Sequence, residues 1–288
     1  MDIRPSPIAG QWYPDNPAQL ATSVDEYLNA APPLHLPGEV VAVIAPHAGH
    51  IYSGAVAGHA FAAVRGRALD LVVIVSPMHQ PYVQPLLTSA HEAYQTPLGI
   101  IPIDREAQNM LNDHLQSTLG FGLHAIHRDR EHSLEIELPF LQRALSGAFS
   151  LLPVMVRDTS PETLRVLGHA IAKITEHQST LLVASTDLSH FYPQNVAERL
   201  DAEMLRRIEA FDPLAVLQAE AQGKGFACGR GAVAAVLWAS RALGADTVTV
   251  LAYATSGDVT ADHTQVVGYG SAAITRKTDQ QQVQNNPN

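Results

Sequence analysis

The chain has 288 residues, 46% of them hydrophobic, with a mean hydropathy near zero, which is enough apolar material for one large α/β domain or two smaller ones. A net charge of −10 argues against a nucleic-acid or anionic-membrane surface, because both need basic stripes. One cysteine excludes an internal disulfide framework and fits a reducing cytoplasm, with neither a signal-peptide pattern nor an apolar run of the ~18 residues a membrane span needs.

Residues 1–17 are an irregular lead-in carrying Pro5, Pro7, Trp12, Tyr13 and Pro14. Residues 18–30 read as an amphipathic helix through Leu20, Val24, Tyr27 and Leu28, and PPLHLPG links it to the first strand. That strand, Val40 to Ile44, is an apolar, mostly β-branched run stopped by Pro46, which fixes its own φ and cannot donate to a ladder. His47 and Gly49 follow, then a small-residue helix from Gly54 to Val64. A second strand, Leu69 to Val75, ends in Ser76-Pro77-Met78-His79 and repeats the order apolar run, proline, histidine.

Leu98 to Ile103 reads as a shorter strand, and Asp104 caps a helix to about Leu115. A loop at 117–131 leads through Glu131-His132-Ser133 into LEIELPFLQRAL, whose apolar spacing suits a helix lying on the sheet. Phe149 to Val156 is a strand, Pro161 to Thr175 a helix, and Ser179 to Ser185 a strand that ends in Thr186-Asp187-Leu188-Ser189-His190. Helices at about 195–209 and 213–221 precede the glycine-rich GKGFACGRG (223–231) and a helix from Ala232 to Leu243. Strands at Thr247 to Ala254 and Val266 to Ile274 close a single domain, 1–275, and 276–288 is a polar tail expected to be disordered. Strands alternating with helices imply an α/β fold with a mainly parallel or mixed sheet covered on both faces.

Ligand-type residues recur at strand ends. His47, His79, Asp187 and His190 follow apolar strands, His132 follows a loop, and Cys228 opens a helix after glycines. The carboxyl ends of parallel strands share one edge, so these residues can meet, although each taken alone reads equally as a loop, cap or core residue. Two imidazoles and one anionic ligand make a non-haem metal site. Cys228, near a helix N-terminus and Arg230, is a third ligand, a reactive thiol or an inert buried cysteine. Asp187 and His190 suit proton transfer or orientation of a ligand. His35, His91, His114, His169 and His177 are expected on solvated surfaces, and His50 and His59 in packing or on the surface. There is no nucleotide fingerprint and no GxSxG elbow.

Six ordered motifs, AGQWYP (9–14), PHAGHIYSG (46–54), SPMH (76–79), EHSLEIELPFL (131–141), STDLSHF (185–191) and CGRG (228–231), resemble the MEMO family, also called AmmeMemoRadiSam system protein B. The resemblance spans about residues 5–275. It implies the three-layer α/β/α fold of class III extradiol dioxygenases, with metal ligands at His47, His79 and Cys228, the cysteine standing where those enzymes use a carboxylate. It also implies pocket roles for Asp187 and His190, the latter matching the dioxygenase base, and peptide-contact roles for Trp12 and Tyr52. SPMHQ and Leu188-Ser189 depart from the family's usual residues, which sets the expected peptide partner apart from the ligands themselves.

The expected function is an iron(II)- or copper-dependent redox enzyme, with zinc also able to fill the site on purification. His190 is its acid/base, Asp187 its orienter and His132 a substrate contact or a support for a ligand. The alternative is a non-enzymatic metal-, peptide- or protein-binding module on the same fold, and a metal-independent nucleophile, Cys228 with His190, ranks third. The family name implies a radical-SAM protein and a companion protein as functional neighbours, with a small molecule or peptide as ligand and neither nucleic acid nor membrane as partner.

Overall fold

The computed structural model describes residues 1–277. The chain enters through a two-residue strand, β1 (Ile3–Arg4), and then α1 (Pro17–Ala30), whose first N–H groups are capped by Asn16. Strand β2 (Glu39–Ala45), helix α2 (His50–Ala62) and strand β3 (Leu71–Pro77) follow. Next come β4 (Leu86–Ser89), the hairpin of β5 (Ala93–Thr96) and β6 (Gly99–Pro102), α3 (Arg105–Leu119) and β7 (His124–Ile126). A 3-10 turn at Glu135–Glu137 runs into α4 (Leu138–Ala144). The second half holds β8 (Ser150–Val156), α5 (Pro161–Thr175), β9 (Thr180–Ser185) and β10 (His190–Tyr192). It continues with α6 (Gln194–Glu209), α7 (Pro213–Ala221), α8 (Arg230–Ala242), β11 (Thr247–Thr255), α9 (Gly257–Thr260) and β12 (Val266–Arg276).

The main sheet is mixed. Its centre is four parallel strands in the order β2, β9, β3, β8, extended by antiparallel β12 on one side and antiparallel β4 on the other. These central strands are buried on both faces, which is why they read as unbroken apolar runs. Alternate residues serve opposite layers. Leu71, Val73 and Val75 pack with Leu111 of α3, Leu167 of α5 and Val236 of α8. Val72 and Ile74 pack with Leu20 of α1, Phe61 of α2 and Phe140 of α4. The three-layer α/β/α fold is therefore present, and no helix among the described residues is long and apolar enough to cross a membrane.

The register positions the loops. Ala45 of β2 pairs with Ser185 of β9, and Pro77 of β3 pairs with Val156 of β8. Residues two beyond these pairs, His47, Asp187 and His79, therefore leave the same edge of the sheet.

Several elements depart from the sequence reading, each for a local reason. Helix α2 begins at His50, four residues before the expected Gly54, because the His50 N–H finds the Trp12 carbonyl at 2.8 Å. Gly54 is the contact point with α1 instead: a Cβ there would lie 2.5 Å from the Tyr27 ring. The single helix expected over LEIELPFLQRAL is split, because Pro139 is comfortable only in a first helical turn, so α4 starts at Leu138 behind the tighter 3-10 turn. The strand expected at Leu98 to Ile103 is one arm of a hairpin, and β7 lies inside the expected 117–131 loop. Of the expected tail, Arg276 closes β12 and Lys277 pairs with Asp246, and the rest, 278–288, lies outside the described residues.

The lead-in is not irregular throughout. β1 pairs with β5 in a small separate sheet, and Arg4, 1% exposed, reaches inward from it. Its guanidinium donates to Asp129 at 2.7 Å, to Glu135 at 2.5 Å and to the Glu131 carbonyl at 2.7 Å. Removing one partner of such a group leaves uncompensated buried charge. Arg4→Met is accordingly expected to lower unfolding free energy by about 3–5 kcal/mol, read as a lower urea midpoint. An unchanged midpoint would show that the two carboxylates find other partners.

Candidate functional site

His47 is the most buried of the strand-end residues at 2% exposure. Its backbone N–H donates to Asp187 Oδ1 at 2.7 Å across the β2–β9 register, and its ring Nδ1 lies 2.9 Å from Ser185 Oγ. Its Nε2 faces Cys228 Sγ at 3.1 Å. Cys228 is seated by backbone as well: its N–H donates to the Asp187 carbonyl at 3.2 Å, and Sγ accepts the Asp187 N–H at 3.3 Å. The neighbouring glycine makes this approach possible, since a Cβ on Gly229 would fall 2.2 Å from the Ser185 carbonyl oxygen.

His79 and His132 share one carboxylate. Glu131 accepts the His79 N–H at 2.6 Å, His79 Nδ1 at 2.9 Å, and the N–H groups of His132 and Ser133 at 3.0 Å each. Its neighbour Ser133 anchors the turn by donating to the Pro77 carbonyl at the end of β3. The His79 and His132 rings stack at 4.8 Å, and Trp12 covers His132 with ring centroids 4.1 Å apart. Ring nitrogens of His47, His79 and His132 all lie within 4.8 Å of one another. His132 thus sits among the expected ligands and not merely behind them. Cys228 lies outside that three-histidine group, against His47 alone.

The electrostatics follow from burial. Burial, with His132 and His79 nearby, holds His47 well below the usual imidazole range, and burial brings His132 down to about 4 against the pull of Glu131. Burial alone would raise Glu131, but its bonds from His79 and from the backbone hold it well below the usual carboxylate range. Asp187 is pushed up to about 7 by burial, opposed by the N–H groups of His47 and Ala48. Burial and the adjacent Asp187 push the Cys228 thiol up. Burial thus favours the neutral thiol in the metal-free protein, with His47 Nε2 at 3.1 Å and the Asp187 carbonyl at 3.6 Å within its reach.

His190 donates from Nδ1 to the Leu188 carbonyl at 2.8 Å, so its Nε2 carries a lone pair, and burial keeps the ring neutral. Phe191 beside it has φ +63°, a region that non-glycine residues seldom adopt, and is 67% exposed. It joins Trp12, Tyr13, Tyr27, Tyr52 and Tyr269 in lining a cleft of about 710 Å³. The cleft reaches Ala48 and Gly49 but not the donor atoms. A smaller one of about 310 Å³ is lined by His79 and Cys228, with Arg157 and Arg230. Trp12 and Tyr52 thus meet on the aromatic cleft, apart from the smaller opening.

Three residues that hold the donors, Glu131, Ser185 and Glu137, were assigned no role from the sequence. The available signal was chemical: a ligating imidazole needs a partner for its second nitrogen, and Glu131 directly precedes His132. Among the remaining histidines, His35, His114, His169 and His177 are exposed as expected. His91 corrects its expectation: it is 4% exposed, with Nδ1 3.0 Å from Asp2 and Nε2 accepting the Arg128 N–H at 3.2 Å. Asp2, His91 and His127 cluster closely enough to suggest a second metal site. The Arg128 bond nevertheless puts the His91 proton on Nδ1, facing Asp2, so the ring offers this cluster a proton and not a lone pair. The cluster is a clasp on the β1 segment.

His50 is buried among Tyr13, Tyr27 and Phe140, donates to the Ile136 carbonyl at 3.1 Å and has its other ring nitrogen unpartnered, which is a packing role. Burial brings it down to about 4. Between pH 6.5 and about 4 the unfolded chain takes up a proton at His50 that the folded chain refuses, so stability falls as pH falls through that window, by about 3 kcal/mol in full. His50→Phe is expected to flatten this part of the urea-midpoint profile, and an unchanged slope would assign the loss to other groups.

A family model described as Memo-like protein matches residues 4–273 of the chain. A MEMO1 family protein of Methanothermobacter thermautotrophicus is 35% identical over 277 residues, covering 93% of this chain and 98% of the relative. One of Thermotoga neapolitana is 34% identical over 286 residues, with 94% and 99% covered, and one of Nitrosopumilus maritimus is 32% identical over 273 residues, with 93% and 98% covered.

Proposed function

This chain belongs to the Memo family, and we propose that it is a metalloprotein binding iron or copper through Nε2 of His47, Nε2 of His79 and the thiolate of Cys228. One observation carries the reading. Both strand-end imidazoles have Nδ1 engaged by the protein, His47 by Ser185 and His79 by Glu131, which leaves Nε2 of each as the ligand atom. Cys228 Sγ lies 3.1 Å from His47 Nε2, nearer to that nitrogen than the Asp187 carboxylate at 3.9 Å, and would supply the anion. A divalent cation removes a thiol proton outright, so the neutral thiol of the metal-free chain is no obstacle. Imidazole and thiolate together favour iron(II), copper(I) or zinc over magnesium or calcium.

Bound iron or copper would supply redox chemistry and an open coordination position. The chain's own groups do the rest. His190, with its proton held on Nδ1 by the Leu188 carbonyl, takes a proton at Nε2. Asp187 orients the site by holding the His47 backbone with its carboxylate and the Cys228 loop with its main chain. His132, beside both imidazoles and under Trp12, contacts whatever occupies the open position.

The competing reading is a binding protein without turnover, and the aromatic cleft favours it: Trp12, Tyr52 and Phe191 are suited to stacking on a ligand or an aromatic side chain. The two readings separate experimentally. Protein purified untagged and without oxygen is expected to hold one metal per chain, and Cys228→Ser and His79→Ala to lose most of it. Full occupancy in both variants would remove the ligand assignment. Iron-loaded protein is then expected to take up oxygen with some member of a panel of small aromatic compounds. His190→Ala should abolish that uptake while keeping its metal. Bound metal with no turnover, together with ligand binding lost in Trp12→Ala, would establish the binding reading instead.

A further inference from the structure

We propose that Glu137 is a positioning residue for His47, acting through Ser185 as a neutral carboxylic acid and not as a carboxylate. The inference rests on His47 being a ligand, and it starts from a proton count. Ser185 Oγ has three polar neighbours: the Ser133 carbonyl oxygen at 2.6 Å, Glu137 Oε1 at 2.9 Å and His47 Nδ1 at 2.9 Å. A hydroxyl has one proton to give and two lone pairs to offer. The carbonyl has no proton of its own, and at 2.6 Å two oxygens need one between them, so the Ser185 proton goes to Ser133.

The other two contacts must then bring their own protons. His47 carries its proton on Nδ1 and donates it to Ser185, leaving Nε2 bare toward Cys228. Glu137 likewise carries a proton on Oε1 and donates it to the second lone pair. Ser185 is filled on all sides: one bond given, two received.

A second observation agrees independently. Glu137 is 1% exposed, and its other oxygen, Oε2, is buried with no partner. An ionised carboxylate oxygen left unpartnered in the interior is costly, whereas the carbonyl oxygen of a neutral acid is far less so. Burial, with Asp187 nearby, also pushes the Glu137 carboxyl well above the usual range. Two residues earlier in the same 3-10 turn, Glu135 has the partners that Glu137 lacks: it is paired to Arg4 at 2.5 Å and bonded by Tyr13 and Ser6, against the upward push of burial.

Neutral Glu137 matters because it leaves Ser185 a single arrangement. Without that third partner the Ser185 oxygen is held only by Ser133 and His47, so it can move off the short Ser133 contact and turn its proton to His47 Nδ1. That arrangement moves the ring proton to Nε2, the atom proposed to bind metal.

Three measurements test this, two of them on metal-free protein. In wild type, ¹⁵N correlation spectra of the imidazoles should place the His47 proton on Nδ1. The infrared carbonyl band of a protonated carboxyl should be present at pH 8 and lose intensity in Glu137→Gln. Because the amide introduced by Glu137→Gln also donates, cobalt(II) titration should give that variant an affinity within about twofold of wild type. Glu137→Leu, with no donor, should bind roughly tenfold more weakly or worse. No difference in the carbonyl band on Glu137→Gln, or a His47 proton on Nε2, would overturn the assignment whether or not metal binds. Wild-type cobalt affinity in Glu137→Leu would overturn the positioning role. Should Glu137→Leu fail to fold, the spectra of wild type and Glu137→Gln decide the question. Loss of cobalt binding by wild type itself, with both spectra as expected, would count against the metal reading and not against the proton arrangement.

Discussion

The carboxylate of Glu131 is the interaction on which the rest of the site depends. It accepts four bonds, two from His79 and one each from the backbone of His132 and Ser133, so it fixes two imidazoles and the turn that carries them. It is itself held from outside. Its N–H donates to Asp129, its carbonyl accepts from Arg4, and Arg4 also ties down Asp129 and Glu135. Arg4 belongs to β1, so the first strand of the chain, paired far from the donor atoms, determines where His79 and His132 stand. A buried arginine among carboxylates is weak evidence for stability on its own. Here its value is positional, since it orders a loop that no regular element contains.

Five acidic side chains, Asp129, Glu131, Glu135, Glu137 and Asp187, are buried within reach of one another's loops, with Arg4 the buried base among them. The interior cannot hold five negative charges at that density, and it sorts them by partner. Asp129 and Glu135 share Arg4. Glu131 is compensated by His79 and by backbone N–H groups. Burial raises Glu135 in spite of Arg4, and it raises Glu137 and Asp187, which lack a cation, toward the neutral acid. The outcome is an asymmetry between the two strand-end imidazoles. His79 has an anion behind it and His47 has a hydroxyl, so His79 is the stronger electron donor and His47 the more rigidly specified tautomer.

The parts of this arrangement that were legible in the sequence are those that obey a local rule. Four parallel strands announce themselves as apolar runs because both their faces are covered, and Pro46 and Pro77 mark where two of them stop. His47, His79, Asp187 and His190 follow from that, since a strand end in a parallel sheet faces the common edge. The glycine-rich turn around Cys228 is legible, whereas the close approach of Gly229 to the Ser185 carbonyl is seen only in the fold. The illegible parts are those set by distant partners. β1 is two residues long and exists because β5 lies beside it. The role of Glu137 cannot be told from that of Glu135 in LEIEL without knowing that Arg4 reaches one and Ser185 the other. His91 and His177 look alike in sequence, yet one is buried against Asp2 and the other is exposed.

Trp12 joins two regions that are otherwise separate. Its ring covers His132 at 4.1 Å, and it also lines the aromatic cleft, which does not itself reach the donor atoms. Its carbonyl caps α2 through His50, so it is fixed to the scaffold and to the turn after His47 as well. A molecule stacking in the cleft would press on Trp12 and through it on His132, the one imidazole of the cluster whose ring has no hydrogen bond shorter than the 3.4 Å approach to Glu131. His47 and His79 are locked by their Nδ1 partners; His132 is held by stacking, and stacking yields more readily than a charged hydrogen bond. A ligand in the cleft and a metal at the donors would therefore share one soft element, and the physical route between them runs from Trp12 to His132.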